Sequence, residues 1–269
     1  MPLPIQLIFN ADDFGFTRDV NEGIVEAHRN GVLTATTLMA NGNAFDHAVA
    51  CARETPTLDV GVHLVMAQGE SVAASGRAMP STLRELAAAL MRGEIAVYEE
   101  AVAQIRRIVA AGIQPSHIDT HKHTHLFPPI LDAVARVSIE FGIPWVRRPF
   151  DFGVSRGAGI AKQIVAAGMT IMRPRFARVL ADLRTTDHFA GFQITGTMDT
   201  AAMIETLERI PPGLTEFMCH PGVCGPELMG AATRLKQSRA VELTALTSPD
   251  VRRAIERRGI ELTNYLSLR

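Results

Sequence analysis

Apolar residues along this chain recur in two alternating rhythms. Short β-rich runs occur at residues 5–9 (IQLIF), 33–40 (LTATTLMA), 59–66 (DVGVHLVM), 116–121 (SHIDTH), 144–149 (PWVRRP), 188–195 (HFAGFQIT), 215–220 (TEFMCH) and 260–266 (IELTNYL). Between several of them the apolar positions move to helical spacing, as in VNEGIVEAHRNG, AFDHAVACARE, YEEAVAQIRRIVAAG and ILDAVARVSIEFG. Gly31, Gly112 and Gly142 follow the last periodic residue of three of these segments, where a helix C-terminus favours a left-handed residue. This alternation predicts βα units around a mostly parallel sheet. Seven or eight such units predict a single-domain α/β fold over residues 1–269, a distorted, TIM-barrel-like (β/α) barrel. The right-handed crossover rule then gathers all strand C-termini on one face. Two segments interrupt the rhythm. AQGESVAASGRAMPS, 67–81, reads as a mobile loop over the strand ends, and PGVCGPELMG, 221–230, as a second loop. MTIMRPRFARVL, 169–180, reads as an amphipathic helix.

Composition narrows the class. With 47% hydrophobic residues in 269, the chain can bury a sizeable core. A net charge of -1 without basic blocks argues against nucleic acid as a partner. No apolar run is long enough for a membrane-spanning helix, and MPLPIQLIFNADD reads as a first strand rather than a signal peptide. Cys51, Cys219 and Cys224 form no disulfide framework and read as small buried hydrophobes. A cytoplasmic enzyme is the resulting expectation. No motif encodes an oligomeric state, and a homodimer is the working expectation.

The chemistry collects where strands end. Asp12 and Asp13 follow the first strand, and His63 lies near the end of the third. Asp119 and then His121, His123 and His125 end the fourth; Arg147, with Asp151 close by, ends the fifth; His220 ends TEFMC. In a barrel, that face carries the active site. Imidazole and carboxylate are ligands for a divalent ion, and three such ligands leave room for water or substrate. Each residue also has a plainer reading. An Asp pair after a strand is often a turn or cap. His63 and His220, taken singly, are satisfied core histidines, and the HxHxH run is a hydrogen-bonded loop or a structural metal site. His28 and His47 read as surface residues, His117 and His188 as structural. Cys219 and His220 face opposite sides of a strand and make no nucleophile–base dyad. On these residues alone, a metal-dependent hydrolase, of amidohydrolase or phosphoesterase type among others, and a sugar- or metal-binding barrel without turnover both stay open.

NADDFG, GVHLVM, HIDTHKHTHLFP and EFMCHPG, in that order, resemble the YdjC-like carbohydrate deacetylases, as does VNEGIVEAHRNGVLTATTLMANG between the first two. The resemblance runs from about residue 5 to about residue 225. It implies a distorted (β/α) barrel that removes the N-acetyl group from an amino sugar, carried on an oligosaccharide or a glycolipid, with one divalent ion, Mg²⁺ or Zn²⁺. Position by position, it implies Asp12 as base, Asp13, His63 and His121 as metal ligands, and His220 as general acid. Arg147 is similar to an arginine that orients the base in related polysaccharide deacetylases. His125 matches a further recurrent histidine; His123 and Asp119 are left for substrate contact or support of the ligands. One departure is Lys122, where the chitooligosaccharide branch has another histidine, and this leaves the substrate branch open. The loop at 67–81 and the region 150–180 are where substrate choice is expected to reside.

Overall fold

The structure, a computed structural model, describes residues 3–153 and 159–268. Part of the 150–180 region, residues 154–158, therefore lies outside the described residues. In chain order the elements are β1 (Ile5–Phe14), α1 (Arg18–Arg29), β2 (Ala35–Leu38), α2 (Phe45–Glu54), β3 (Asp59–Leu64), α3 (Leu83–Met91) and α4 (Val97–Ala110). Then come β4 (His117–Thr120), α5 (Pro128–Phe141), β5 (Trp145–Val146), α6 (Ile160–Met169), α7 (Arg173–Val179) and β6 (His188–Ala190). The chain ends with α8 (Thr200–Leu207), β7 (Gly213–Cys219), α9 (Pro226–Gly230), α10 (Gln237–Leu246), α11 (Pro249–Arg257) and β8 (Ile260–Leu262).

All strand pairs are parallel, in the order β5-β4-β3-β2-β1-β7-β6. β8 joins β1 at Ile5–Leu7, on the edge that β2 takes over from Asn10 onward. The sheet curls until its ends meet. β5 and β6 share no ladder; two isolated bridges, Trp145–Arg184 and Asp151–Phe189, join the two ends, with Val146 N–H donating to Arg184 O at 2.9 Å and Phe152 N–H to Phe189 O at 2.8 Å. The expected distorted (β/α) barrel is thus present, with one seam.

Alternation along β1 sorts its two faces. Leu7, Phe9 and Ala11 belong to the large core beneath the helices, whereas Ile8 packs with Ala35, Trp145, Leu214 and Tyr265 in a small separate cluster. That cluster plugs the N-terminal end of the barrel interior. Tyr265, from the segment after β8, stacks on His117 at 4.0 Å. Beyond the plug the inward positions turn polar: Asn10, Asp12, Thr37, His63, Asp119, Arg147 and Glu216 are all buried.

Local chemistry explains most boundaries. Thr17 caps α1 by accepting from Val20 N–H, and two prolines open α5. Gly142 caps α5 at φ 65°, and Gly112 follows α4 at φ 84°, as their positions predicted. Gly31 differs. Asn30 ends α1 in an ordinary right-handed conformation, and Gly31 is required by close approach, since a Cβ there would lie 2.4 Å from Leu246 O. The run 169–180 is not one helix: α6 ends at Met169, a short 3₁₀ turn follows, and α7 begins at Arg173 with Pro174 in its first turn. The 67–81 loop is anchored. Buried Glu100 of α4 accepts from Val72 and Ala73 N–H, and Gln68 N–H donates to Pro80 O at 2.8 Å.

Candidate active site

Three side chains, two on β1 and β3 and one just past the end of β4, converge at the C-terminal mouth. Asp13 Oδ1 lies 3.0 Å from His121 Nδ1 and 3.3 Å from His63 Nε2, and the two ring nitrogens are 3.3 Å apart. Ligands about 2.1 Å from a common ion are separated by about 3.0 Å in an octahedral arrangement and about 3.4 Å in a tetrahedral one. The triangle fits that spacing. A second cluster, Asp12, His63 and Asp119, does not. Its His63 Nδ1–Asp119 Oδ1 distance of 2.6 Å is a hydrogen bond, and both of its carboxylates are bound to Arg147.

The outer atom of each converging residue has its own partner. His63 donates Nδ1–H to Asp119, which turns Nε2 inward. His121 donates Nε2–H to Gln68 Oε1 at 3.3 Å, which leaves Nδ1 facing Asp13. Asp13 Oδ2 takes an ion pair from Arg239. Partners of this kind fix the tautomer of an imidazole ligand. Electrostatics agree that the site favours a cation. Burial opposes charge on His63, yet Asp119, Asp13 and Asp12 overcome it and push its pKa up to about 10. Burial likewise opposes ionisation of Asp13, and Arg239, His121 and His63 nonetheless hold its carboxyl well below the usual range.

Backbone geometry lets neighbouring aspartates share the mouth. In a regular strand Asp12 and Asp13 would point to opposite faces. Between Ala11 and Phe14 the β1–β2 register shifts by an extra residue, and Asp13 sits at φ 70°. This bulge brings the Asp13 side chain round to the cavity that Asp12 also lines. Asp13, Gln68, Lys122 and His123 are the only non-glycine residues with positive φ among those described, and all four line the cavity. Backbone strain, about 1 kcal/mol or more per residue, is concentrated where the chemistry is.

Beside the triangle, Arg147 forks onto Asp12 with Nη1–Oδ2 2.7 Å and Nη2–Oδ1 2.6 Å. Its remaining contacts are Asp119 at 2.5 Å and Glu216 at 2.7 Å, so one buried guanidinium serves three carboxylates. Burial would raise the Asp12 pKa; Arg147, with His63 and His220, holds it far below the ordinary value. Arg148 points elsewhere, to Asp187 O. His220 Nε2 lies 3.9 Å from Asp12 Oδ2, and its backbone N–H donates to Glu242 at 2.6 Å. Burial pushes the His220 pKa down to about 4.

The HxHxH run divides its three rings. The chain leaves β4 at Thr120 and turns through two left-handed residues, Lys122 and His123. His121 joins the triangle. His123 forms part of the cavity wall against Phe189 and Phe192. His125 is fully buried away from the cavity, bonded to Thr120 Oγ1 at 2.6 Å and to the Arg147 carbonyl at 3.2 Å. Asp119 holds His63 rather than facing the mouth. Asp151 stands at the barrel seam, accepting from Phe192 and Gln193 N–H. His117 donates to Asn10 inside the barrel, as a structural residue would. Cys219 is buried in the main core.

The cavity measures about 570 Å³, within the usual range for small-ligand sites. A sequence profile described as YdjC-like protein matches residues 6–257. The chain belongs to the YdjC-like family. A carbohydrate deacetylase from Brevibacillus brevis is 35% identical over 98% of this chain and 100% of its own length. One from Vibrio campbellii is 32% identical over 98% and 96%. A crystal structure from Enterococcus faecalis, described as a putative cellobiose-phosphate cleavage protein, superposes with a TM-score of 0.78 at 28% identity, covering 98% of this chain and 99% of that one.

Four contributors to this YdjC-like site were not read from the sequence: Gln68, Glu216, Arg239 and Glu242. Gln68 lies in a polar loop and Arg239 in a helix with a weak apolar stripe, so neither had a local signal. Glu216, inside the TEFMC strand, is a charged residue in an apolar run and was the one that periodicity could have exposed.

Proposed function

We propose that this protein is a metal-dependent hydrolase that removes the N-acetyl group of an acetylated amino sugar and releases acetate. The observation that carries the reading is the triangle of Asp13, His63 and His121, each held from behind so that one donor atom faces the others. The deacetylase names of relatives that align end to end support the substrate class. Asp13, His63 and His121 would hold one divalent ion. Two imidazole donors favour Zn²⁺, and Mg²⁺ is the alternative. When bound, the ion polarises the acetyl carbonyl and makes water a better nucleophile.

The chain's own residues supply the rest. Arg147 keeps Asp12 ionised and fixes both of its oxygens, so Asp12 holds a proton from water only in passing. A carboxylate held so far down is a weak base and passes the proton on. His220, 3.9 Å away, is the next acceptor. Burial makes protonated His220 a stronger acid than a free imidazolium, suited to protonating the departing amine nitrogen. Asp119 and His125 keep His63 and Arg147 in place, and His123 contributes wall surface for the sugar.

An assay of acetate and free amine tests the reading. Metal-depleted protein would be incubated with N-acetylglucosamine, its short oligomers and an acetylated glycolipid analogue, with and without Zn²⁺ or Mg²⁺. Acetate release restored by metal is the expected result. Metal binding without release from any acetylated sugar would overturn the deacetylase assignment.

A further inference from the structure

The function proposed above assigns Asp13 to the metal but leaves open what decides which carboxylate oxygen it offers. The bulge at Asp13 turns its side chain into the cavity, but backbone geometry does not choose between the two carboxylate oxygens. The residue that meets it is Arg239, 226 positions later, on α10. Arg239 is 1% exposed and lines the cavity. Its Nη2–H donates to Asp13 Oδ2, its Nε–H donates to Leu235 O at 3.3 Å, and its carbonyl accepts from Gly222 N–H at 3.2 Å. Both the side chain and the backbone of Arg239 are therefore anchored. Gly222 packs tightly on this side chain: a Cβ there would lie 3.3 Å from Arg239 Cβ and Cδ.

We infer that Arg239 is a positioning residue for the metal site, occupying Asp13 Oδ2 so that Oδ1 alone faces His63 and His121. The sign of its effect is informative. A fixed positive charge beside a ligand repels a divalent ion, so charge alone makes Arg239 a hindrance to binding. Orientation makes it a help. Removing a partner that orients a ligand typically lowers metal affinity by about 10–100-fold, and the inference holds that this outweighs the relieved repulsion. This inference rests on the metal-site reading above.

The test is Zn²⁺ affinity, measured by competition with a chromophoric chelator, together with the melting temperature of each metal-free protein. Asp13→Ala is the control for the site itself. Arg239→Met keeps an apolar stem and removes the fork. The expected result is a 10–100-fold loss of Zn²⁺ affinity in Arg239→Met, beyond what any change in melting explains. Arg239→Lys keeps the charge but loses the Nε–H anchor to Leu235, and is expected to recover part of that loss. Should Arg239→Met not fold, Arg239→Lys decides: weaker Zn²⁺ binding at an unchanged melting temperature supports the inference, and wild-type affinity overturns it. Unchanged or tighter Zn²⁺ binding in a folded Arg239→Met also overturns it. If Asp13→Ala itself binds Zn²⁺ like the wild type, the metal-site reading falls as well. A loss confined to Asp13→Ala removes only the role of Arg239.

Discussion

At Asp13 the backbone reaches φ 70°, and that one angle allows two consecutive aspartates to face the same cavity. The sequence placed both residues at a strand end but held no sign of the bulge, because Asp-Asp after an apolar run fits a turn equally well. The HxHxH spacing was legible as chemistry and misleading as geometry. Alternate positions share a face only while the strand lasts, and β4 stops at Thr120. The place of Arg147 at a strand end was legible and its role came only through the family resemblance, yet the structure makes it the centre of charge inside the barrel. Arg147→Met would remove the ion pair shared by Asp12, Asp119 and Glu216, leaving Asp119 only His63 as an ion-pair partner, and breaking a buried pair typically costs about 3–5 kcal/mol. Urea unfolding of the metal-free protein should show a loss of at least that size; a loss under about 1 kcal/mol would mean that the three carboxylates are neutral.

At the scale of elements, the helices that support the site pack closely enough for glycine to be obligatory. Gly23 in α1 faces Gly222, two residues beyond His220, and a Cβ on Gly23 would lie 2.4 Å from Gly222 Cα. Both contacts are backbone, so no side chain can yield. Gly23→Ala is expected to cost about 1–3 kcal/mol, as overpacking usually does, and to lower turnover by displacing the loop after β7. A variant with wild-type stability and turnover would show that the loop moves freely. This contact had no signal in the chain, because a glycine inside a helical pattern is tolerated for many reasons. The same limit hid α10: Arg239 and Glu242 act on β1 and β7 across long stretches of chain, and only the folded barrel brings them together.

For the whole molecule, the alternation of β and α segments was enough to foresee the barrel, since each unit buries its apolar face in the same way. The seam was not legible, because it depends on two isolated bridges, at Trp145 and at Asp151, rather than on a ladder between strands. Asp151 also makes the stability of this seam depend on pH. Burial, only partly offset by Gln193 and Phe192 N–H, raises its pKa from 3.8 to about 6. The folded state thus binds more protons than the unfolded state between those values, and the contribution of Asp151 to stability falls as pH rises through that window. The shift corresponds to about 3 kcal/mol at most. Asp151→Asn should therefore gain on the wild type in melting temperature between pH 4 and pH 7, whatever constant offset the substitution introduces. A difference that stays flat over that range would contradict the raised pKa.

The central claim is a division of labour between two adjacent aspartates, with Asp13 holding the ion and Asp12 moving the proton. The most direct test is to measure bound metal and acetate release side by side in Asp12→Asn and Asp13→Asn, on an N-acetylated sugar that the wild type turns over. Asp12→Asn should retain metal and lose turnover by about a hundredfold to ten-thousandfold, whereas Asp13→Asn should lose the metal itself. Full turnover in Asp12→Asn, or equal loss of metal from both variants, would contradict the assignment.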